Sequence, residues 1–169
     1  MESIEEWVEG LRNPNNQIAY TCLQQLQAVC RESNKAYSFF DTYAEMMMSE
    51  HSYIRTRGLL MISACAQWDE EYRIDELIDE YLKHVEDIKP ISARQCIQTL
   101  PHMARYKPDL IPEIVSALHR VNLFRYPNTM QPLLQKDISD ALKQIHELMQ
   151  KKLIYKLGIA QLKSADITI

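Results

Sequence analysis

The residues best spaced for chemistry are Glu80 and His84. They stand four positions apart, so a helix would carry both side chains on one face, as two ligands of a metal ion require. No third ligand stands beside them in the sequence, and an ordinary surface pair is the favoured interpretation. The chain also lacks a glycine-rich phosphate loop, a nucleophile elbow and a paired-histidine motif. We therefore expect a protein that is not an enzyme, with no catalytic residue, no metal site and no cofactor.

The cysteines are the other candidates for metal or redox chemistry. No two of them are three residues apart, the spacing that many metal-binding and redox motifs use. Each lies in a predicted helix, on or beside its apolar face, as reduced thiols of a hydrophobic core do. We expect core thiols rather than a metal or redox site at Cys22, Cys30, Cys65 and Cys96.

Carboxylates are concentrated between residues 69 and 87. This stretch holds nine of them against two basic residues, Arg73 and Lys83. A helix over 71–85 would bury its aliphatic side chains and turn the carboxylates between them towards water. Such a face is either only solvated or part of a binding surface, and the charge pattern alone leaves both interpretations open.

Apolar residues at three- and four-residue steps predict helices that come in antiparallel pairs. A shift of 37 residues places Ile91 on Ile54 and Ile97 on Leu60, and a further shift of 35 or 36 residues gives a third match. Helix pairs are therefore predicted at 17–48, 53–85 and 90–121. This period is typical of a helical solenoid. The side chains expected to be buried between the middle pairs are Ile78, Leu82, Ile97, Leu100, Ile114 and Leu118.

The remaining segments are predicted to close the two ends of this array. Ser3 and Glu6 form a capping box that begins a capping helix over 3–12. A C-terminal helix is expected at about 129–157, followed by a tail. With 169 residues and only 3 glycines, the chain has the length and composition of one helical domain, 1–169. The predicted fold class is all-α.

Two runs in the first helices of these pairs resemble a known family. Residues 53–60 and 91–97 are similar to the first helix of HEAT and armadillo repeats, and Pro101 stands where HEAT first helices often bend. More faintly, the chain resembles small bacterial HEAT-like proteins that carry an iron–sulfur-assembly (SufBD) label. The resemblance covers about residues 15–150. It implies a short right-handed α-α superhelix, that is, a HEAT/armadillo-like α-solenoid.

The same resemblance implies where a partner would bind. The second helices of HEAT-type solenoids line the concave side, so carboxylates of the three second helices would share one groove. The candidate partner-binding residues are Asp41, Glu45, Glu76, Asp79, Glu80 and Glu113. By the sign of its charge, this groove favours a basic or amphipathic segment of another protein, with Tyr81 or Met48 as an apolar anchor at its edge. We therefore expect a non-enzymatic protein-interaction module.

The alternative is a HEAT-like nucleic-acid-binding or DNA-alkylation-repair-type protein. Trp68 and Asp69 are similar to the Trp and Asp that HEAT-like DNA glycosylases use. The cations for phosphate binding would come from Arg94, Arg105, Lys107, Arg120 and Arg125. A formal net charge of −4 makes nucleic acid the less favoured partner, because phosphate binding requires a cationic surface.

The sequence also bears on location. It has no apolar run of the length that spans a bilayer, and residues 1–12 are acidic rather than the basic start of a signal peptide. We expect a cytoplasmic protein without a membrane partner. The oligomeric state is left open by the sequence.

Overall fold

The computed structural model describes residues 3–165, and their side chains as far as Lys156. Over these residues the chain is all-helical and contains no strand, which confirms the all-α fold class. Part of the predicted tail, residues 166–169, lies outside the described residues. The helices are α1 Ile4–Gly10, α2 Asn16–Glu32, α3 Phe40–Met47, α4 Ser52–Ala64, α5 Arg73–Lys83, α6 Pro90–Tyr106, α7 Ile111–Arg120 and α8 Gln131–Ala165.

Local sequence explains where several helices begin. At α1, the Ser3 hydroxyl accepts from the Glu6 N–H at 3.2 Å and the Glu6 carboxylate accepts from the Ser3 N–H at 2.7 Å, which confirms the capping box. At α2, the Asn15 side chain accepts from the Gln17 N–H at 2.9 Å. Pro90 occupies the first turn of α6, where its missing N–H costs nothing.

The C-terminal helix differs from its predicted extent. The predicted helix ends at about residue 157, just before Gly158, but α8 continues to Ala165. A single glycine costs a helix only about 1 kcal/mol relative to alanine. The strong helix formers around it, including Leu157 and Lys163, offset that cost.

The longer helices form a row in chain order, in which α2 contacts α4, α4 contacts α6, and α6 contacts α8. Polar and thiol contacts join neighbours in this row. The Cys30 and Cys65 sulfurs lie 3.7 Å apart, between α2 and the end of α4. The Thr56 and Ser92 hydroxyls are 2.8 Å apart, and the Ser63 hydroxyl donates to the carbonyl of Thr99 at 3.3 Å, both between α4 and α6. Helix α3 packs closely against α4, and α1 packs against α2.

One continuous core runs through this arrangement. The side chains predicted to be buried between the middle pairs are all buried, which confirms the assigned faces: Ile78, Leu82, Ile97, Leu100, Ile114 and Leu118. In contrast, Ile18 in α2 and Ile91 in α6 are about half exposed. Both lie in the first turn of a helix, where side chains tilt towards the N-terminus and so point beyond the packed part of the helix.

Candidate partner-binding groove

The six carboxylates predicted to bind a partner lie on three helices. Each of these is the second helix of one of the predicted pairs. Asp41 and Glu45 are on α3, the acidic residues 76, 79 and 80 are on α5, and Glu113 is on α7. All are solvent-exposed except Glu80, which is half-buried. Their exposure follows from helix periodicity, because the residues between them, such as Ile78 and Ile114, face the core.

Three of the six are paired with cations of the same chain. Arg73 donates to Asp41, and Lys83 donates to Glu80 within α5. The Arg12 guanidinium lies 3.1 Å from the Glu45 carboxylate. The surface is therefore not a uniform acidic row, since half of the predicted charges have a cation beside them.

The structure brings Asp79 and Glu113 together. Both line a cleft of about 590 Å³ between the second half of α5 and α7, and neither has an ion-pair partner among the described residues. Leu82 and Ala117 contribute apolar surface to its lining, beside the polar side chains of Glu86 and Ser116. Asp41, Glu45, Glu76 and Glu80 are not among the residues that line it.

The same cleft also contains basic side chains. Lys83 and Arg120 line it, each C-terminal to the carboxylate on its own helix. An occupant therefore meets two unpaired carboxylates, a lining that is partly apolar, and the basic side chains of Lys83 and Arg120. These features suit a segment that is amphipathic and carries its positive charge on one part only.

The two predicted apolar anchors differ in their exposure. Met48 is 60% exposed and is available at the surface. Tyr81 is fully buried, so it was wrongly predicted to be an anchor. Its hydroxyl donates to the Leu59 carbonyl at 3.0 Å and lies 2.7 Å from the Thr99 hydroxyl, and burial raises its pKa above the ordinary tyrosine value. Helical periodicity places Tyr81 with Ile74 and Ile78 on the buried face of α5, and its hydroxyl group has its partners inside.

A buried ion pair that the sequence analysis missed joins α4 to the turn before α6. Arg55 donates to both oxygens of Asp87, at 2.6 and 2.7 Å, and both residues are buried. Burial alone would raise the pKa of Asp87, but hydrogen bonds from Arg55, His84 and the Lys89 N–H lower it well below its usual range. The sequence did contain a signal for this pair: Arg55 is a charged residue inside the apolar stripe of a helix.

A second buried cluster fixes the start of α5. The Lys107 ammonium lies 2.9 Å from Asp69 and 2.5 Å from Asp75. Asp69 also accepts from the Arg73 and Ile74 N–H groups at 2.9 and 3.0 Å, and so caps the helix. Burial opposes ionisation of Asp69, but these hydrogen bonds hold its pKa below the ordinary value.

These contacts give structural roles to the residues that the alternative interpretation used. Asp69 is buried in the cluster with Lys107, and the Trp68 indole donates to the Cys30 carbonyl at 2.7 Å. Arg94 donates to Asp137 at 2.5 Å, and Arg125 lies 3.4 Å from Glu86. Of the five cations considered for phosphate binding, Arg105 and Arg120 are the ones without an ion-pair partner among the described residues.

The candidate metal pair is separated by other contacts. Glu80 pairs with Lys83, while the His84 ring nitrogen lies 3.1 Å from Asp87. Among the residues described, no group of three or more His, Cys, Asp or Glu side chains is arranged to hold a metal ion. All four cysteines are buried in the core, as predicted. Burial raises the pKa of the Cys96 thiol, which makes a reactive thiolate less accessible.

Comparisons of the chain with protein-family models, with curated proteins and with solved structures gave no match. None of the described helices has the length and apolar character needed to cross a membrane. The candidate site is therefore interpreted from its own geometry.

Proposed function

We propose that the chain is a non-enzymatic protein-interaction module, built as a HEAT/armadillo-like right-handed α-solenoid, that binds a basic or amphipathic segment of a cytoplasmic partner. The observation that carries the proposal is the cleft between α5 and α7. It combines apolar side chains, Leu82 and Ala117 among them, with the unpaired carboxylates of Asp79 and Glu113. Apolar burial supplies affinity, and the two charges select the sign and orientation of the bound segment.

The packing of the helices supports the solenoid part of this proposal. In a helical solenoid, equivalent helices of successive repeats lie side by side. Here α2, α4, α6 and α8 contact one another in chain order. The contacts that join them pair residues about one repeat apart: 35 positions for Cys30 and Cys65, and 36 for Thr56 and Ser92.

The proposed site is narrower than the groove expected from the sequence. Asp79 and Glu113 form its centre, because their charges are not offset within the chain. Asp41, Glu45 and Glu80 would exchange their present cations for those of a partner, so each contributes less net free energy. Glu76 is exposed on α5 and extends the acidic surface beyond the cleft.

Affinity capture from native cytosol tests this proposal. We expect Asp79→Asn with Glu113→Gln to reduce partner capture strongly, and Glu45→Gln with Glu76→Gln and Glu80→Gln to reduce it less. Glu9→Gln with Glu32→Gln is the matched control, because both residues are exposed on α1 and α2, away from the cleft. Capture of the same proteins at the same salt by the Asp79 and Glu113 variant would contradict the proposed site and would favour the C-terminal segment 151–169.

Nucleic-acid binding is the less supported function. The internal ion pairs of Arg94, Lys107 and Arg125 leave few cations for phosphates. Duplex binding measured at 50 and 200 mM salt separates the two functions, because phosphate contacts give an affinity that falls steeply as salt rises. We expect no specific, salt-dependent duplex binding.

A further inference from the structure

Residues 149–156 of α8 present a surface that the rest of the described chain does not cover. Earlier in this helix, Leu134, Ile138 and Ile145 are buried. Residues 149–156, in contrast, are all exposed. Four of these side chains are large and apolar, with exposed fractions between 50 and 71%: Met149, Leu153, Ile154 and Tyr155. We call residues 149–156 the α8 extension. Helical segments without tertiary packing are marginal in water, so contact with a partner would stabilise this segment.

The apolar side of the α8 extension forms one wall of a cleft of about 500 Å³. The other wall is the start of α7, with Ile111 and Pro112. Met149 and Leu153 lie one helical turn apart and face this α7–α8 cleft together. The cleft is separate from the one between α5 and α7, apart from Pro112, which touches both.

Charges of both signs line the α7–α8 cleft without being paired in the chain. Asp109 lies on the α7 side, and Lys152 and Lys156 lie on the α8 extension. None of the three has an ion-pair partner among the described residues. An occupant that brings lysines to Asp109 and a carboxylate to the two lysines would satisfy all of them.

We propose that the α7–α8 cleft is a two-fold interface between two copies of the chain, with the α8 extension of each copy lying in the cleft of the other. Met149 and Leu153 of both copies are then buried against each other, and Lys152 and Lys156 of each copy face Asp109 of the other copy. A two-fold interface must be self-complementary, and this cleft contains an apolar stripe and both signs of charge on one molecule. A second copy of the chain therefore brings both the apolar side chains and the opposite charges that the cleft requires of its occupant. This interface is independent of the proposed partner groove.

The molar mass of the full chain in solution, from sedimentation equilibrium or light scattering over a concentration series, tests the interface. We expect twice the chain mass for the wild type and the mass of one chain for Leu153→Asp. Ile88→Asp is the matched control, because Ile88 is 81% exposed in the turn before α6 and lies outside the cleft. It should keep twice the chain mass, and circular dichroism should show that both variants remain helical.

A charge exchange between copies makes the test specific to the proposed contacts. Asp109→Lys alone and Lys152→Asp with Lys156→Asp alone should each give single chains, because like charges then face each other. Mixing the two variants should restore a dimer of one copy of each, since opposite charges meet at both ends of a two-fold interface. Rescue on mixing cannot arise from contacts within one chain.

Three results would overturn the proposal. They are a wild type that remains a single chain at every concentration, a Leu153→Asp variant that keeps twice the chain mass, and a mixture of charge variants that does not associate. A single-chain wild type that binds vesicles of anionic phospholipid through the α8 extension would assign this surface to membrane binding instead.

Discussion

The buried pair of Arg55 and Asp87 is the single contact whose loss should affect stability most. Asp87 accepts two hydrogen bonds from Arg55 and a third from the Lys89 N–H, just before α6 begins. It therefore links the position of α4 to the start of α6. A buried charge that loses its partner is left uncompensated, which is why breaking such a pair costs more than the pair itself contributes.

We predict that Asp87→Asn lowers the free energy of unfolding by about 3–5 kcal/mol, measured by urea denaturation. The matched control is Asp140→Asn, which removes an exposed pair with Lys136 and should cost under about 1 kcal/mol. Replacing both partners, Arg55→Met with Asp87→Leu, should recover part of the loss, because no unpaired charge then remains. An Asp87→Asn variant within about 1 kcal/mol of the wild type would show that the pair is not structural.

The same residue predicts a pH dependence. The pKa of Asp87 is lower in the folded chain than its ordinary value of 3.8. Its contribution to stability is therefore complete above that ordinary value and is lost as the pH falls below it towards the folded pKa. As the pH falls below about 4, the free energy of unfolding should fall more steeply for the wild type than for Asp87→Asn. Parallel curves for the two proteins would contradict this assignment.

Side-chain burial was predictable for aliphatic residues but not for charged ones. Ile97 and Ile114 repeat at helical spacing, so their face follows from local sequence. Arg55 and Asp87 are 32 positions apart, and their contact depends on how two helices and a turn are arranged in space. The periodicity of apolar residues within one helix cannot predict a contact between residues so far apart in the sequence.

Helices α3 and α4 approach each other closely, and Gly58 allows it. A Cβ atom at Gly58 would lie 2.5 Å from the Met47 nitrogen and 2.7 Å from the Tyr43 carbonyl oxygen. Both of these are backbone atoms, so no side-chain rotation could make room. The two helices must therefore separate if this residue gains a side chain.

We predict that Gly58→Ala destabilises the fold by about 1–3 kcal/mol, although alanine favours a helix over glycine. Gly10→Ala provides the contrast, because its Cβ would meet the side chain of Cys22. Adding Cys22→Ala should relieve the Gly10→Ala clash, whereas the Gly58 clash has no side chain that can be shortened. Thermal denaturation of these variants is the measurement, and an unchanged or raised melting temperature for Gly58→Ala would contradict the close packing.

The existence and order of the helices could be predicted from the sequence, while some of their ends could not. The 3.6-residue period of apolar side chains located α6 and α7 because it repeats over several turns. In the pair predicted at 17–48, the second helix, α3, is preceded by a 3-10 turn at Lys35–Phe39. Such turns differ from α-helix by one hydrogen-bond step, which apolar spacing does not distinguish over so few residues.

At the scale of the whole molecule, the continuous core should make unfolding cooperative. Buried side chains run from α1 to α8 in one cluster, and the ion pairs of Arg55 and Lys107 connect different helices. We predict coincident urea transitions by far-UV circular dichroism and by fluorescence of Trp68 in a Trp7→Phe variant. Separate midpoints would mean that the N-terminal and C-terminal helices unfold independently, as weakly coupled repeats do.

The candidate groove could be predicted from the sequence only in part. Helix periodicity was sufficient to place Asp79 and Glu113 on solvent-facing surfaces. The cations that neutralise Asp41 and Glu45 come from Arg73 on α5 and from Arg12 in the turn after α1, so the remaining charge depends on tertiary structure. For the same reason, the sequence could not predict that the unpaired carboxylates lie together in the cleft between α5 and α7.

The most direct test of the central claim is a fluorescence anisotropy titration of a labelled lysine- and leucine-rich helical peptide with the full chain. We predict binding that weakens by more than about tenfold in Asp79→Lys with Glu113→Lys. Glu9→Lys with Glu32→Lys changes the net charge by the same amount away from the cleft, and should bind like the wild type apart from a small long-range effect. Equal weakening by the two variants, or none by either, would contradict a binding site between α5 and α7.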